Sequence, residues 1–247
     1  MKKNTVHPTT SSRNGLVDMW NAFMVENATF SINDIPLCPT TATKAPDKLM
    51  GFDEAKTIHK RMIREKNYDY HINAFIHFYV DDQKFDGKRS SIWLYPDKAL
   101  EVIKHFSGII SPDFSTYADF PEPIKKWNFY RMNAFGYWIG INHIPVISNC
   151  RWGTEETWEY CFDGNPTESI IAIGSVASSI KRIVNRPLFE DGLFEMVNRL
   201  HPHIIIVYGS SNYKFFEELQ EQGIQIISYP SRTSIVYAER RSYEQSN

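Results

Sequence analysis

Ile144-Pro-Val-Ile-Ser-Asn-Cys-Arg-Trp-Gly-Thr-Glu-Glu-Thr-Trp-Glu-Tyr-Cys-Phe-Asp-Gly164 carries the pattern that decides the fold. The apolar run Ile144 to Ile147 reads as a short buried strand bounded by a proline. Polar and bulky groups follow at once: Asn149, Arg151, Trp152 and Gly153. Trp158 and Phe162, four apart, then mark a short amphipathic segment that Asp163-Gly164 closes as a turn. A second buried strand runs from Ser169 to Ile173. The unit is strand, polar loop, helical turn, strand.

The same alternation extends outward in both directions. Upstream, Leu16, Met19, Trp20, Phe23 and Met24 have helical spacing, Phe30 to Leu37 tends toward a short strand, and residues 38–48 form a loop. Gly51 opens a helix carrying Ala55, Ile58 and Met62 on one side. Ile72 to Val80 is an aromatic, β-branched strand that stops at Asp81-Asp82. Pro96 starts a helix with Leu100, Ile103 and Phe106 inward, and Ile109-Ile110 is a strand remnant ending at Ser111-Pro-Asp113. A long helix opens at Pro121 and Pro123 and ends at Asn142. Downstream, Phe189 to Leu200 is helical, His203 to Tyr208 is a strand, Phe215 to Leu219 is a helix stopped by Gly223, and Ile224 to Ile227 is a strand. Ser234 to Tyr237 reads as one more. Short apolar strands without alternation suit a sheet covered on both faces. With about eight strand candidates in about 250 residues, the pattern predicts a single α/β domain of mostly parallel strands, (β/α)-barrel-like. The alternative is an open doubly wound sheet, since no helix precedes the last strand candidate. The expected boundaries are a flexible arm over 1–14, the domain over 15–240 and a polar tail over 241–247.

A net charge of −2 over 247 residues lacks the basic excess of a dedicated nucleic-acid binder. Cys38, Cys150 and Cys161 form no Cys-x-x-Cys pair, and the polar N-terminus lacks the apolar core of a secretion signal. Both features predict a cytoplasmic protein without a membrane span.

In either architecture ligands meet the carboxyl ends of the strands. Those ends gather Cys38, Asp81-Asp82, Asp113, Asn149 with Arg151 and Trp152, Gly174-Ser175, Gly209-Ser210 and Ser228 to Ser231. Asp81 and Asp113 are candidate acid/base groups or ligands of a divalent metal. A surface turn and a turn cap are the plainer readings of those two. Arg151 suits an anion through its planar fork, or else an ion pair with Glu155, Glu156 or Asp163. Asn149 and Trp152 flank it, although a tryptophan there is ordinary packing. Gly174, Ser175, Gly209 and Ser210 are candidate backbone donors to an anion, with Lys181, Arg182 and Arg186 nearby. No phosphate-loop or dinucleotide glycine pattern accompanies them. His201-Pro-His203 lies at the opposite rim, and His71 and His77 share a strand face where core histidines are usual. Neither a Gly-x-Ser-x-Gly elbow nor a His-Glu-x-x-His helix occurs. Cys150 stays open as a nucleophile beside the plainer reading of buried packing.

Five segments together carry a resemblance. His77-Phe-Tyr-Val-Asp-Asp-Gln-Lys-Phe85, Ser111-Pro-Asp-Phe-Ser-Thr-Tyr117, Cys150-Arg-Trp152, Phe162-Asp-Gly164 and Ile204-Ile-Ile-Val-Tyr-Gly-Ser210 resemble a domain-of-unknown-function family of bacteria, phages and mobile elements. The likeness keeps its order over roughly residues 70–230. Asn149-Cys150 stands where that family has a small residue or proline before Arg-Trp, and the turn after Ile173 is less glycine-rich than the family's. The resemblance implies a phage or mobile-element context and no particular reaction. Three functions fit the residues: binding an anionic small molecule such as a nucleotide at the strand-end rim, non-enzymatic binding of a host protein, or binding single-stranded nucleic acid through aromatics and Lys181, Arg182 and Arg186.

Overall fold

A computed structural model of the chain describes residues 2–3, 20–176 and 180–245. Seven strands form one sheet in strict chain order: β1 (Leu49–Gly51), β2 (Ile72–His77), β3 (Phe106–Ile110), β4 (Val146–Asn149), β5 (Ile170–Gly174), β6 (Ile204–Tyr208) and β7 (Gln225–Tyr229). Every neighbouring pair is parallel. Parallel strands need crossovers, and helices fill nearly all of them: α1 (Phe52–Arg64), α2 (Pro96–Ile103), α3 (Glu122–Ile141), α4 (Arg186–Leu200) and α5 (Lys214–Glu221). The β4–β5 crossover carries only the 3-10 turn Glu155–Glu159. α6 (Arg232–Gln245) follows the last strand. Because the strand order never reverses, the sheet has no switch point of the doubly wound kind. It curls into a half-barrel, the barrel-like form expected from the alternation.

Strand parity divides two apolar layers. Ala74, Ile76, Phe78, Ile109, Val146, Ile171, Ile173, Ile205 and Val207 point outward into the main core, where the helices pack. Phe75, Ile110, Ile147, Ile170, Ala172 and Ile206 point inward and meet no helix, only Ala42 and Ala45 of the segment before β1 and side chains of the strands themselves. That segment enters between the amino ends of β4 and β5. The Thr40 hydroxyl accepts from Ser148 N at 3.0 Å and donates to Ile170 O at 2.8 Å, while Thr41 and Ala42 N–H groups both reach Val146 O. Its far end is held where the Tyr229 hydroxyl donates to Pro46 O. The open side of the curl is thus lined by a segment anchored through Thr40, Thr41, Ala42 and Pro46.

Above this plug the interior is aromatic. His77 and Tyr79 rise from β2, Tyr208 from β6. Tyr79 and Tyr208 stack with centroids 5.1 Å apart and planes 13° apart, and His77 lies 4.2 Å from Tyr208. Gly174 on β5 makes room: a Cβ there would stand 2.9 Å from the Tyr79 ring. β1 and β7 do not pair, but Arg232, where α6 begins, reaches Asp53 of α1 at 3.3 Å across the gap.

Several expectations are corrected. Ser234 to Tyr237 is helical, not a strand: the Ser231 hydroxyl accepts from Ser234 N at 3.2 Å, an N-cap that overrides the strand preference of Ile235 and Val236. The segment Phe30 to Leu37 provides only the two-residue strand Thr29–Phe30, paired with Lys2–Lys3, and a bridge from Phe30 to Pro36. Most of the expected arm over 1–14 lies outside the described residues, as do Leu16 and Met19 of the first expected helix; within 20–25 a 3-10 turn, Ala22–Val25, packs over α3. Gly51, expected to open a helix, ends the first sheet strand, Leu49–Gly51, and the helix follows from Phe52. α6 continues through the expected polar tail as far as Gln245.

His77 is buried with its Nδ1 accepting from Tyr79 N at 3.2 Å, and burial depresses its pKa to about 4, with nearby Asp53 opposing. A histidine held neutral when folded and titrating near 6.5 when unfolded adds stability that is complete above pH 6.5 and lost as pH falls toward 4, by about 3 kcal/mol. Urea titrations at pH 7, 5.5 and 4 are expected to show that loss, and His77→Gln to flatten it. An unchanged slope in the variant would place the imidazole in water.

Candidate functional site

The site is built from the carboxyl ends of β2 to β5. β4 ends with Asn149 facing inward, and its backbone N–H is fixed by the Ser111 hydroxyl at 2.8 Å. The Asn149 amide is fully used. Its Oδ1 accepts from the Tyr79 hydroxyl at 2.8 Å, and its Nδ2 donates to Asp113 Oδ1 at 3.1 Å and Pro112 O at 3.2 Å. Two residues on, Arg151 Nη1 donates to the same Asp113 Oδ1 at 2.9 Å. The three side chains come from two strand ends and form one unit. Burial pushes the Tyr79 phenol well above its ordinary range, and the Asp113 charge pushes it further, so Tyr79 stays a neutral donor.

Asp82 joins the unit from the β2 side. It accepts from Ser115 Oγ at 2.8 Å and Ser115 N at 3.1 Å. Burial raises its pKa; the Ser115 bonds partly offset this and the Asp113 charge reinforces it. Behind Ser115, its carbonyl accepts from Asn128 Nδ2. Asn128 accepts from Arg131 Nη2 at 2.6 Å, and Arg131 also pairs with Asp86 at 2.8 Å while lying 3.9 Å over the Phe114 ring. This chain of contacts ties the loops after β2 and β3 to α3, which fixes Asp82 and Asp113 before any ligand arrives.

Beside the Arg151–Asp113 pair opens a cleft of about 240 Å³, lined by Asp113, Cys150, Arg151, Trp152, Ile173, Gly174, Asn185, Leu188 and Phe189. Its apolar wall is seated by a glycine. Trp152 lies 5.0 Å from Phe189, and a Cβ on Gly192 of α4 would fall 2.1 Å from Trp152 Cδ1. Cys150 borders the cleft, yet its thiol is buried and its pKa is raised well above the ordinary value, which disfavours the nucleophilic thiolate. Cys38 lies on the outer side, packed against Gly136, with its thiol pushed up to about 12 by burial.

Of the candidates read from the sequence, Asn149 and Arg151 both bond Asp113, and Trp152 and Gly174 border the same cleft. Ser175, Gly209 and Ser210 form a neighbouring contact outside its lining. The Ser175 hydroxyl bonds Ser210 O at 3.2 Å, Ser175 N donates to Tyr208 O at 3.0 Å and Gly209 N to Tyr229 O at 2.8 Å, so these two backbone donors are already spent. Gly209, at φ 126°, could not carry a Cβ, which would meet Ser175 Oγ at 2.2 Å. Asp81 is exposed at the start of a 3-10 turn, and Asp82 takes the inward place beside it. Arg151 pairs with Asp113 rather than with Glu155, Glu156 or Asp163; the last accepts instead from Asn33 at 2.8 Å. Lys181 and Arg182 are exposed, while Arg186 turns back to Ile180 O and the Tyr213 ring. Tyr79 and Ser115 were not singled out in the sequence, and of the Asp81-Asp82 pair the sequence reading makes Asp81 the candidate. Period-two parity with Phe75 and His77 is the signal that places Tyr79 inside. Among the described residues, no three His, Cys, Asp or Glu side chains are grouped to hold a metal ion, and no helix is long and apolar enough to cross a membrane.

Comparison with known proteins gives the chain relatives. A family model described as domain of unknown function DUF4417 matches residues 27–230. The Gene 1 protein of Mycobacterium phage L5 is 32% identical over 148 residues, 60% of this chain. That of Mycobacterium phage D29 is 30% identical over 152 residues, 62% of this chain. The matches span 62% and 54% of those relatives' own lengths. No solved structure matches.

Gly192→Ala gives a test whose sign is diagnostic. In an open helix position the change stabilises by about 1 kcal/mol; against Trp152 it overpacks and destabilises by about 1–3 kcal/mol. The lower urea midpoint is expected, together with altered tryptophan near-UV dichroism. A stabilised variant would mean that Trp152 is not seated on α4.

Proposed function

The chain belongs to the DUF4417 family, and from that footing we propose that it is a cytoplasmic small-molecule-binding protein with its ligand in the strand-end cleft. Arg151 holds an anionic group of the ligand. One observation carries this reading: Arg151 and Asp113 both line the cleft, yet only Nη1 of the guanidinium bonds Asp113, and its other N–H groups have no bond to a described residue. A planar fork with open donors, held at 18% side-chain exposure beside apolar walls, is suited to a carboxylate or a single phosphoryl group. Asp113 and the inward Asp82 supply the carboxylates for acid/base chemistry or a divalent cation; Asp81 stands too far into solvent to share that role. Three unpaired buried cysteines agree with a reducing compartment.

A thermal-shift screen with carboxylates, mononucleotides and inorganic phosphate, each with and without magnesium, tests the reading. A ligand at a hundredfold its Kd adds about 2.7 kcal/mol, a rise of several degrees for a domain of this size. Arg151→Ala is expected to abolish the rise. A rise that survives the substitution would reject Arg151 as the anion contact.

A second reading, docking of a host protein, has its own observation. Ile183 and Val184 are 76% and 80% exposed, next in the chain to the exposed Lys181 and Arg182, an exposed apolar pair of the kind found at contact sites. Its test is stoichiometric capture from host lysate. Capture should be lost in Ile183→Asp with Val184→Asp, and capture indifferent to both would remove this surface from consideration.

A further inference from the structure

The cleft is electrically balanced, and that narrows its ligand. We infer that it takes a small zwitterion, an apolar or aromatic α-amino acid in form: its carboxylate on Arg151, its ammonium on Asp113, and its side chain against Trp152, Leu188 and Phe189. The inference rests on the cleft-binding reading above and specifies its ligand.

Three observations converge. First, Arg151 and Asp113 are the charged side chains among the described lining residues, so their charges cancel. A phosphate ester would bring about two negative charges to a site holding one already partnered cation. Second, among the described residues the donors a phosphate needs are already bonded or lie outside the lining. Ser175 N and Gly209 N are bonded to Tyr208 O and Tyr229 O, Arg186 is occupied by Ile180 O and the Tyr213 ring, and Lys181 and Arg182 lie outside the lining. Third, the pair is unsaturated on both sides. Asp113 Oδ1 accepts from Asn149 and from Arg151, while Oδ2 has no bond to a described residue; Arg151 likewise keeps Nε and Nη2 open. A donor array and an acceptor oxygen side by side match a carboxylate adjacent to an amine.

Size agrees. At about 240 Å³ the cleft falls just below the roughly 300–1,000 Å³ of sites for drug-sized ligands, a scale for one amino acid and not for a dinucleotide. Trp152, Ile173, Leu188 and Phe189 make the remaining wall apolar.

Calorimetric titration of the full chain decides it, using L-phenylalanine, L-leucine and L-tryptophan, the single-charge analogues 3-phenylpropionate and phenethylamine, and AMP and ADP. At least one zwitterion is expected to bind tenfold or more tighter than either analogue, with the nucleotides silent. Asp113→Asn is expected to weaken the zwitterion at least tenfold while strengthening 3-phenylpropionate, because the cation loses its internal partner. The analogue series on the wild-type chain stands without any variant. Binding of AMP or ADP that needs Arg151, with amino acids silent, would overturn the zwitterion and leave the cleft a small-molecule site. Silence toward every probe would remove both readings.

Discussion

Tyr79 of the β2 loop and Tyr208 of β6 meet face to face inside the curl of the sheet, and the rest of the molecule depends on that contact. A parallel sheet in simple chain order has no intrinsic reason to stop curling or to flatten; twist alone leaves both outcomes open. Rings large enough to span the interior set the distance between opposite walls. Offset stacking adds about 0.5–1.5 kcal/mol beyond the apolar area removed from water. Gly174 permits the approach, since any side chain there would strike the Tyr79 ring. The plug from residues 39–48 fills the interior at the amino ends of the strands, and the Arg232–Asp53 pair reaches across the gap between β1 and β7 that hydrogen bonds leave open.

The same tyrosine joins fold to site. Its ring belongs to the interior stack, and its hydroxyl orients Asn149, which with Arg151 shares one oxygen of Asp113. Arg151 and Asp113 therefore cannot be only ligand contacts. Removing one partner of a largely buried pair leaves the other without compensation, so part of any loss on substitution belongs to folding. The Ser111–Tyr117 loop shows the same double duty. Ser111 holds β4, Asp113 lines the cleft, Phe114 lies under Arg131 and Ser115 holds Asp82. Segments that stand out in the sequence as motifs are here the joints between neighbouring strand ends, and their chemistry at the cleft is superimposed on that.

Much of the architecture was legible because the central strands are buried on both faces. Runs such as Ile204 to Tyr208 contain no polar break, and helical spacing returns between them. The direction of the strands followed from the intervening helices, and with it the convergence of Asp113, Asn149 and Arg151. What escaped was short or nonlocal. Leu49–Gly51 is too brief to show a period. Ile235 and Val236 have strand character that a serine N-cap overrules. The partner of Arg151 lies 38 positions upstream, whereas the sequence offered nearer acids. Adjacent Asp81 and Asp82 differ only in which one the turn sends inward, and no composition records that.

Because the Tyr79–Tyr208 stack joins opposite walls of the curl, a double-mutant cycle on it is the direct measurement. Tyr79→Leu, Tyr208→Leu and the double variant would be compared by urea unfolding. Rings that touch across the barrel are expected to show a coupling energy of about 0.5–1.5 kcal/mol. Effects that add within about 0.3 kcal/mol would mean that the two walls do not meet, and the aromatic interior of the half-barrel described above would be wrong.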